Sequence, residues 1–253
     1  MHNEVNPFCH SSPAVGESFV GREEELNTLL CWLGTEPPTC IALYGPERIG
    51  KSSFLRQLCE VAGPQRYPSY RWVYLDLQGI FSPDEFWSAL AKQLGVPEQD
   101  VFAALSRSPA PVVLCLDEFG AALSRPGFSA DFYGLLCGFA ITGKLTLVIS
   151  TLRPLQELSI PDRADVSYFF SIFLPFPLGP LSPQASRKLL ESRGLCGNDA
   201  DWVLKNVEEH GHPYHLQLLG AYLWEARRSG RSPREAKEHY QQAIEWEEPS
   251  LPK

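Results

Sequence analysis

No run of about eighteen consecutive apolar residues occurs in the 253-residue chain, so no membrane-spanning helix and no membrane insertion are expected. The first residues, Met1-His2-Asn3-Glu4-Val5-Asn6-Pro7, lack the basic and apolar regions of a secretory signal, and a cytoplasmic location is expected. No C-x-x-C pair occurs among the seven cysteines, an odd number. Cys40, Cys59, Cys115 and Cys137 lie inside apolar runs, where a thiol acts as a small hydrophobe, and all seven are expected to be reduced. Positive charge is in deficit: 22 lysines and arginines stand against 30 acids, a net charge of -8. That balance argues against a broad nucleic-acid footprint. The one basic cluster, Arg227, Arg228, Arg231, Arg234 and Lys237, reads first as a solvated helix end and turn. Contact with nucleic acid or an acidic partner is the second reading. No internal repeat is visible.

What the chain does contain is organised around residues 40–53. An apolar run, Cys40-Ile41-Ala42-Leu43-Tyr44, leads into Gly45-Pro46-Glu47-Arg48-Ile49-Gly50-Lys51-Ser52-Ser53 and then the apolar-periodic Phe54-Leu55-Arg56-Gln57-Leu58-Cys59. Strand, G-x-x-x-x-G-K-[ST] loop and helix in that order are the context of a P-loop. Gly45 and Gly50 let the backbone curl so that successive N–H groups face one phosphate, and the helix presents its positive dipole end to the same anion. Lys51 is placed to reach the β- and γ-phosphates, and the Ser52 hydroxyl to ligate Mg²⁺. The bland alternative is a glycine-rich turn with a lone surface lysine; the flanking elements favour nucleoside triphosphate binding.

A second landmark is Val112-Val113-Leu114-Cys115-Leu116-Asp117-Glu118, a buried parallel strand by its unbroken apolar run, with two acids at its C-terminal end. Ligands of open α/β sheets sit at that end, the edge that also presents the P-loop. The pair has the Walker B arrangement: Asp117 for the Mg²⁺ shell, Glu118 to orient and activate the attacking water. A further strand over Lys144–Thr151 ends in Ser150, Thr151 and, two positions on, Arg153, whose guanidinium suits a phosphate; a local salt bridge is its plain alternative.

Residues 1–18 read as a polar arm. A helix follows with Leu26, Leu29, Leu30 and Leu33 on one face, stopped by Gly34 and Pro37-Pro38. Gly63-Pro64 is expected to close the P-loop helix, and Tyr70–Leu77 alternates like a strand. Ser82-Pro83-Asp84-Glu85 starts a helix that ends at Gly95, and another covers about 129–142. Phe169–Leu174 reads as the fifth strand. Pro175, Pro177, Gly179, Pro180 and Pro183 punctuate a linker, after which helices are expected from Ser182-Pro183, over roughly 199–209, after Gly211-His212-Pro213, and from Ser232-Pro233. The expected division is an arm at 1–18, a core at 19–178 and a helical lid at 179–253. His210, His212 and His215 raise a metal hypothesis, but no cysteine or clustered carboxylate is evident to complete a ligand set.

Taken together these residues resemble the AAA+/STAND group of P-loop ATPases, over about residues 6–230. Asn6-Pro7-Phe8 followed by Phe19-Val20-Gly21-Arg22-Glu23 looks like the N-terminal box that holds adenine in this group. Ile149-Ser150-Thr151-Leu152-Arg153 is similar to its sensor strand, although an extra residue separates Thr151 from Arg153. Pro180-Leu181-Ser182 resembles the lid entry, and Gly211-His212-Pro213 the G-x-P module by which such lids contact nucleotide.

The resemblance implies an ASCE-type α/β fold: a five-stranded parallel sheet in the order 5-1-4-3-2, flanked by helices, with a C-terminal helical lid. It implies ATP and Mg²⁺ as ligands, with Phe19, Val20, Gly21, Arg22, the loop residues 45–53, Thr151 and Pro213 around the nucleotide. Lys51, Glu118 and Arg153 are the expected catalytic groups, and Ser52 and Asp117 the Mg²⁺ ligands. Arg163 is a candidate arginine finger, with an ordinary loop salt bridge the leading alternative.

The function so implied is an ATP-hydrolysing molecular switch, in a signalling or defence-type system, whose state controls assembly with itself or a separate effector protein. The alternatives are a DNA-processing or transposition-type ATPase and a non-hydrolysing ATP-binding scaffold.

Overall fold

The computed structural model describes residues 5–158 and 163–247, with backbone only for 163–166 and 247. Five strands build one parallel sheet: β1 (Cys40–Tyr44), β2 (Arg71–Asp76), β3 (Val112–Asp117), β4 (Leu145–Thr151) and β5 (Phe173–Pro177), in the order β2-β3-β4-β1-β5. This is the expected 5-1-4-3-2 order read from the other edge. β1, β3 and β4 are interior strands, and β3 and β4 are buried along their whole length. A central parallel strand is covered on both faces, which explains why these segments are unbroken apolar runs.

Helices cover both faces. On one side α1 (Glu23–Leu33) buries Leu26, Leu29, Leu30 and Leu33, the stripe predicted from spacing. It shares a core with α2 (Lys51–Gln57) and the β1, β3 and β4 residues Ile41, Leu43, Val113, Cys115 and Val148. The P-loop helix does not stop at Gly63-Pro64. A π-helical turn, Leu58–Ala62, carries it into α3 (Gly63–Arg66), with the Gly63 N–H reaching back to Leu58 O. The wider turn shifts the pairing by one residue and accommodates the proline, which has no N–H to offer.

The opposite face is packed by α4 (Pro83–Leu94), α5 (Val101–Arg107), α6 (Phe119–Leu123), α7 (Ala130–Ile141) and α8 (Arg163–Ser171). Ser82 caps α4, accepting from the Glu85 N–H, as its Ser-Pro-Asp-Glu start predicts. The fifth strand is displaced from its expected place: residues 169–171 end α8, and the strand begins at Phe173. Phe169 belongs instead to a ring cluster with Phe119, Tyr133 and Phe173. Pro175 and Pro177, expected in a linker, lie within the strand. β5 pairs only with β1, and an edge strand tolerates prolines on its open side.

After β5 the chain is helical: α9 (Pro183–Ser192), α10 (Asn198–Asn206), α11 (Pro213–Arg228) and α12 (Pro233–Glu247). The second of these ends at Asn206, short of the expected 209. Ser182 caps α9 through the Ala185 N–H. The four helices share a core of their own, with Leu190, Val203, Leu216, Leu219, Leu223 and Tyr240 at its centre. Phe8 joins that core from the N-terminal arm. Its ring lies on Gly220, where an added Cβ would come within 2.5 Å of it.

The arm thus has a structural task that its polar composition does not announce. Asn6 donates to Ala221 O and the Cys9 N–H to Gln217 on α11. Further along, the Ala14 N–H donates to Ser53 Oγ at 3.0 Å and the Gly16 N–H to Gln57 Oε1 at 2.7 Å, both on α2. One short segment therefore straps the helical lid to the helix that follows the P-loop. No helix of the described residues is long and apolar enough to cross a membrane.

Candidate active site

The loop between β1 and α2 lies at the C-terminal edge of the sheet, as the strand–loop–helix pattern requires. Gly50 has φ 100° and ends the loop in the left-handed region that glycine enters without strain; Arg48, at φ 56°, enters it with a side chain. The loop's carbonyls are held by side-chain donors. Lys51 Nζ donates to Gly45 O at 2.9 Å and Pro46 O at 2.7 Å. His212 Nε2 lies 3.1 Å from Glu47 O, and Arg22 donates to Ile49 O at 3.3 Å. Lys51 is buried, and burial pulls its pKa down while the carboxylates of Glu118, Asp117 and Glu47 pull it back up. A lysine resting on its own loop's carbonyls, within the field of three acids, is a cation held ready for an anion.

At the end of β3, the buried Asp117 has both oxygens engaged. Ser150 donates to Oδ1 at 2.5 Å from β4, and Tyr74 to Oδ2 at 2.7 Å from β2. Tyr74 remains a donor because burial and the neighbouring Asp117 push its pKa upward. The Arg56 guanidinium lies over the Tyr74 ring at 4.5 Å. Glu118 follows with φ 52°, an uncommon conformation for a residue with a side chain, at the start of α6. Its N–H is held by Ser150 Oγ at 3.0 Å and by Asp117 Oδ1 at 3.1 Å. Burial, then the Asp117 charge, raise the Glu118 pKa, and Lys51 opposes the rise.

Glu118 and the P-loop open onto a cleft of 690 Å³ lined by Glu47, Arg48, Gly50, Lys51, Ser52, Ser53 and Glu118, together with Pro213 and Tyr214 of the lid and Cys9–Pro13 of the arm, while Asp117 stays buried beside it. An adjoining recess of 50 Å³ is lined by Phe19, Val20, Arg22, Ile49, Leu181, Leu189 and Pro213. The box residues and the G-x-P proline therefore meet beside the P-loop.

Individual placements refine the expectations. Ile49 is buried in the core beneath the loop, and Pro46 and Glu47 are exposed on it. Ser53 offers its hydroxyl to the arm. Arg22 is buried, bridging Ile49 O, Gly179 O at 2.5 Å and Glu25, so its guanidinium ties the box to the P-loop and the lid entry. Burial lowers its pKa against the support of Glu25. Gly21, at φ 83°, lets the box approach α9 at Ala185. Thr151 is buried and donates to Arg153 O at 2.7 Å. Arg153 is exposed and lines a second cleft, with Tyr44, Pro46 and Pro177, rather than the main one, while Leu152 lines both. Arg163 begins α8, and its side chain lies outside the described residues, as does Asp162.

The histidine cluster gains the carboxylate that sequence reading did not find: Glu209 Oε2 lies 4.0 Å from Nε2 of both His212 and His215. His212 Nε2, however, is committed to Glu47 O. Tyr74 and Ser150 were missed as supports of Asp117. Period-two alternation carried the signal for Tyr74, which pairs with Cys115 in register and so shares a face with Asp117.

Residues 19–94 match the family model described as an ATPase domain predominantly from Archaea. No curated protein matches the sequence. Among solved structures, the Orc1 protein of Aeropyrum pernix, in complex with DNA, superposes with a TM-score of 0.65 at 23% identity, covering 92% of this chain and 67% of that one. The Aeropyrum pernix ORC2 protein, in ADPNP and ADP complexes, gives 0.61 at 16% identity, covering 95% and 70%. Domain III of the Thermotoga maritima replication initiation protein DnaA gives 0.61 at 18% identity, covering 88% and 93%. Sheet order, P-loop, acidic strand end and C-terminal helices give this chain the same fold as these structures, a parallel P-loop sheet of the ASCE type with a helical region after it, and its residues 19–94 are similar to the ATPase domain family.

Proposed function

We propose that this protein binds ATP with Mg²⁺ between P-loop and lid, hydrolyses it, and uses the nucleotide state to control assembly with itself or with a separate effector protein. The observation that carries the reading is the meeting of Lys51 and Glu118 at one cleft, with the buried Asp117 adjoining them and the lysine within the field of both acids. Ser52 and Asp117 offer the hard oxygen donors that suit Mg²⁺. When bound, Mg²⁺ supplies charge neutralisation at the β- and γ-phosphate oxygens.

The chain's own residues do the rest. Lys51 exchanges the carbonyls of Gly45 and Pro46 for phosphate oxygens. Tyr74 and Ser150 keep Asp117 oriented. Glu118 positions a water in line with the γ-phosphorus and takes its proton as the new P–O bond forms and the bond to the departing ADP oxygen breaks. A raised pKa makes Glu118 a stronger base than an ordinary glutamate, and Lys51 opposes the rise. ATP makes γ-phosphate contacts that ADP lacks, and that difference biases the lid between two arrangements.

A DNA-acting ATPase is the second reading, favoured by structural neighbours that are solved with DNA or named for replication initiation. The basic cluster gives it little support: Arg227 pairs with Asp199, Arg234 with Glu238, and Lys237 donates to Asn206. Light scattering separates the readings. An increase in mass with ATP and Mg²⁺, retained in Glu118→Gln and absent with ADP, supports the switch. A monomer in every state, with salt-dependent duplex binding, supports the second reading.

A further inference from the structure

The lid grips the P-loop at two successive residues. His212, the last residue before α11, lies with Nε2 at 3.1 Å from Glu47 O. Two residues on, the Tyr214 ring lies under the Arg48 guanidinium at 4.3 Å. Between them Pro213 lines both the main cleft and the recess beside it.

The chemistry of the first contact is one-directional. A carbonyl oxygen only accepts, so His212 Nε2 carries the proton and donates. The other ring nitrogen, Nδ1, is buried without a partner, so the imidazole is held at the P-loop by this one bond. Burial, then the neighbouring His215, lower the ring's pKa against the pull of Glu47 O and Glu209, which favours the neutral ring with its one proton at Nε2. The peptide joining Glu47 and Arg48 is planar, so holding Glu47 O toward the lid turns the Arg48 N–H the opposite way. Arg48 has φ 56°, a value its side chain makes costly unless its surroundings impose it. Lys51 holds the two preceding carbonyls, Gly45 O and Pro46 O. Three consecutive carbonyls are thus turned by side-chain donors, and the third donor belongs to the lid.

Resting on the nucleotide-binding reading above, we propose that His212 is a positioning residue: its hydrogen bond to Glu47 O completes the phosphate-binding conformation of the P-loop and makes that conformation depend on the lid. A lid that swings away releases the Glu47–Arg48 peptide. By linkage, phosphate bound in the loop favours the closed lid by the same factor.

The test compares His212→Gln, whose amide reaches as far as the distal ring nitrogen, with His212→Asn, whose shorter amide does not. Both keep a polar side chain at the same buried position. Calorimetry with adenosine, ADP and inorganic pyrophosphate reads the effect. The expected result is a loss of about three- to ten-fold for ADP and pyrophosphate in His212→Asn, the size of one hydrogen bond, with adenosine affinity unchanged and wild-type behaviour in His212→Gln. Equal losses for adenosine and ADP, or no difference between the two variants, would overturn the positioning role. Wild-type protein and Lys51→Ala serve as controls. If neither ADP nor pyrophosphate binds the wild type, or Lys51→Ala binds both equally well, the nucleotide reading itself fails and the inference falls with it. If those controls behave and His212→Asn matches wild type, the inference alone is overturned.

Discussion

Tyr74 on β2 donates a 2.7 Å hydrogen bond to Asp117 Oδ2 on β3, across one pair of neighbouring strands. The bond fixes one carboxylate oxygen while Ser150 fixes the other, so Asp117 is held from both flanking strands.

Tyr74→Phe removes that donor and leaves a buried carboxylate oxygen with one partner fewer. Hydrogen bonds to charged groups contribute about 1.5–3 kcal/mol, and a loss of stability at the low end of that range is expected in urea unfolding. Turnover of ATP should fall as Asp117 loses its orientation, while ADP affinity measured without Mg²⁺ stays at the wild-type value. Loss of ADP affinity equal to the loss of turnover would show instead that the substitution disturbs the P-loop.

Phe8→Ala tests the strap formed by the arm. The ring is buried in the lid core against Gly220, and truncating a buried phenylalanine costs about 3–5 kcal/mol. The lid should loosen from α2, read as faster amide exchange in α11 and at Ala14 and Gly16, whose N–H groups bond to α2. Exchange faster only at the N-terminus would show that the arm is a passenger.

With Glu118 as the proposed base, its titration is expected to set the acid limb of activity. Its pKa is raised by burial and by Asp117, with Asp76 and Glu47 adding to the rise and Lys51 opposing it. Protonation removes the base, so turnover should decline as pH falls through a value above the ordinary glutamate range. The sign for stability follows the same shift. The native carboxyl takes up its proton at higher pH than the unfolded one, so ionising Glu118 costs stability as pH rises through the native value. Glu118→Gln should remove that cost and bind ATP without turning it over. An acid limb at the ordinary carboxylate value, or an unaltered limb in Glu118→Gln, would assign the base elsewhere.

The parts of this molecule that sequence discloses are those where local pattern and chemistry coincide. Gly45, Gly50 and Lys51 mark the P-loop because a phosphate-binding turn tolerates few other residue types there, and Asp117-Glu118 stand out against a fully apolar strand. Leu26, Leu29, Leu30 and Leu33 disclose a helix by spacing alone. The resemblance supplied the sheet order, which periodicity cannot. Where pattern and packing diverge, the reading slipped. The run Phe169–Leu174 looks like a strand because its rings are apolar, yet Phe169 fills a cluster at the end of a helix, and the true strand runs into prolines that an edge position permits. Pro64 looks like a helix stop, and a π turn carries the helix through it. Arg22, Tyr74, Ser150 and His212 act across distant parts of the chain, and nothing in their own neighbourhoods discloses their partners. The same holds for the arm, whose one buried ring docks on a helix more than two hundred residues away.

The most direct test of the account is phosphate release from ATP in the presence of Mg²⁺, measured beside equilibrium binding of ADP and ATP, for wild type, Lys51→Ala and Glu118→Gln. The account predicts binding and release by wild type, severe loss of binding in Lys51→Ala, and ATP binding without release in Glu118→Gln. Nucleotide affinity unchanged by Lys51→Ala, or phosphate release undiminished in Glu118→Gln, would contradict it.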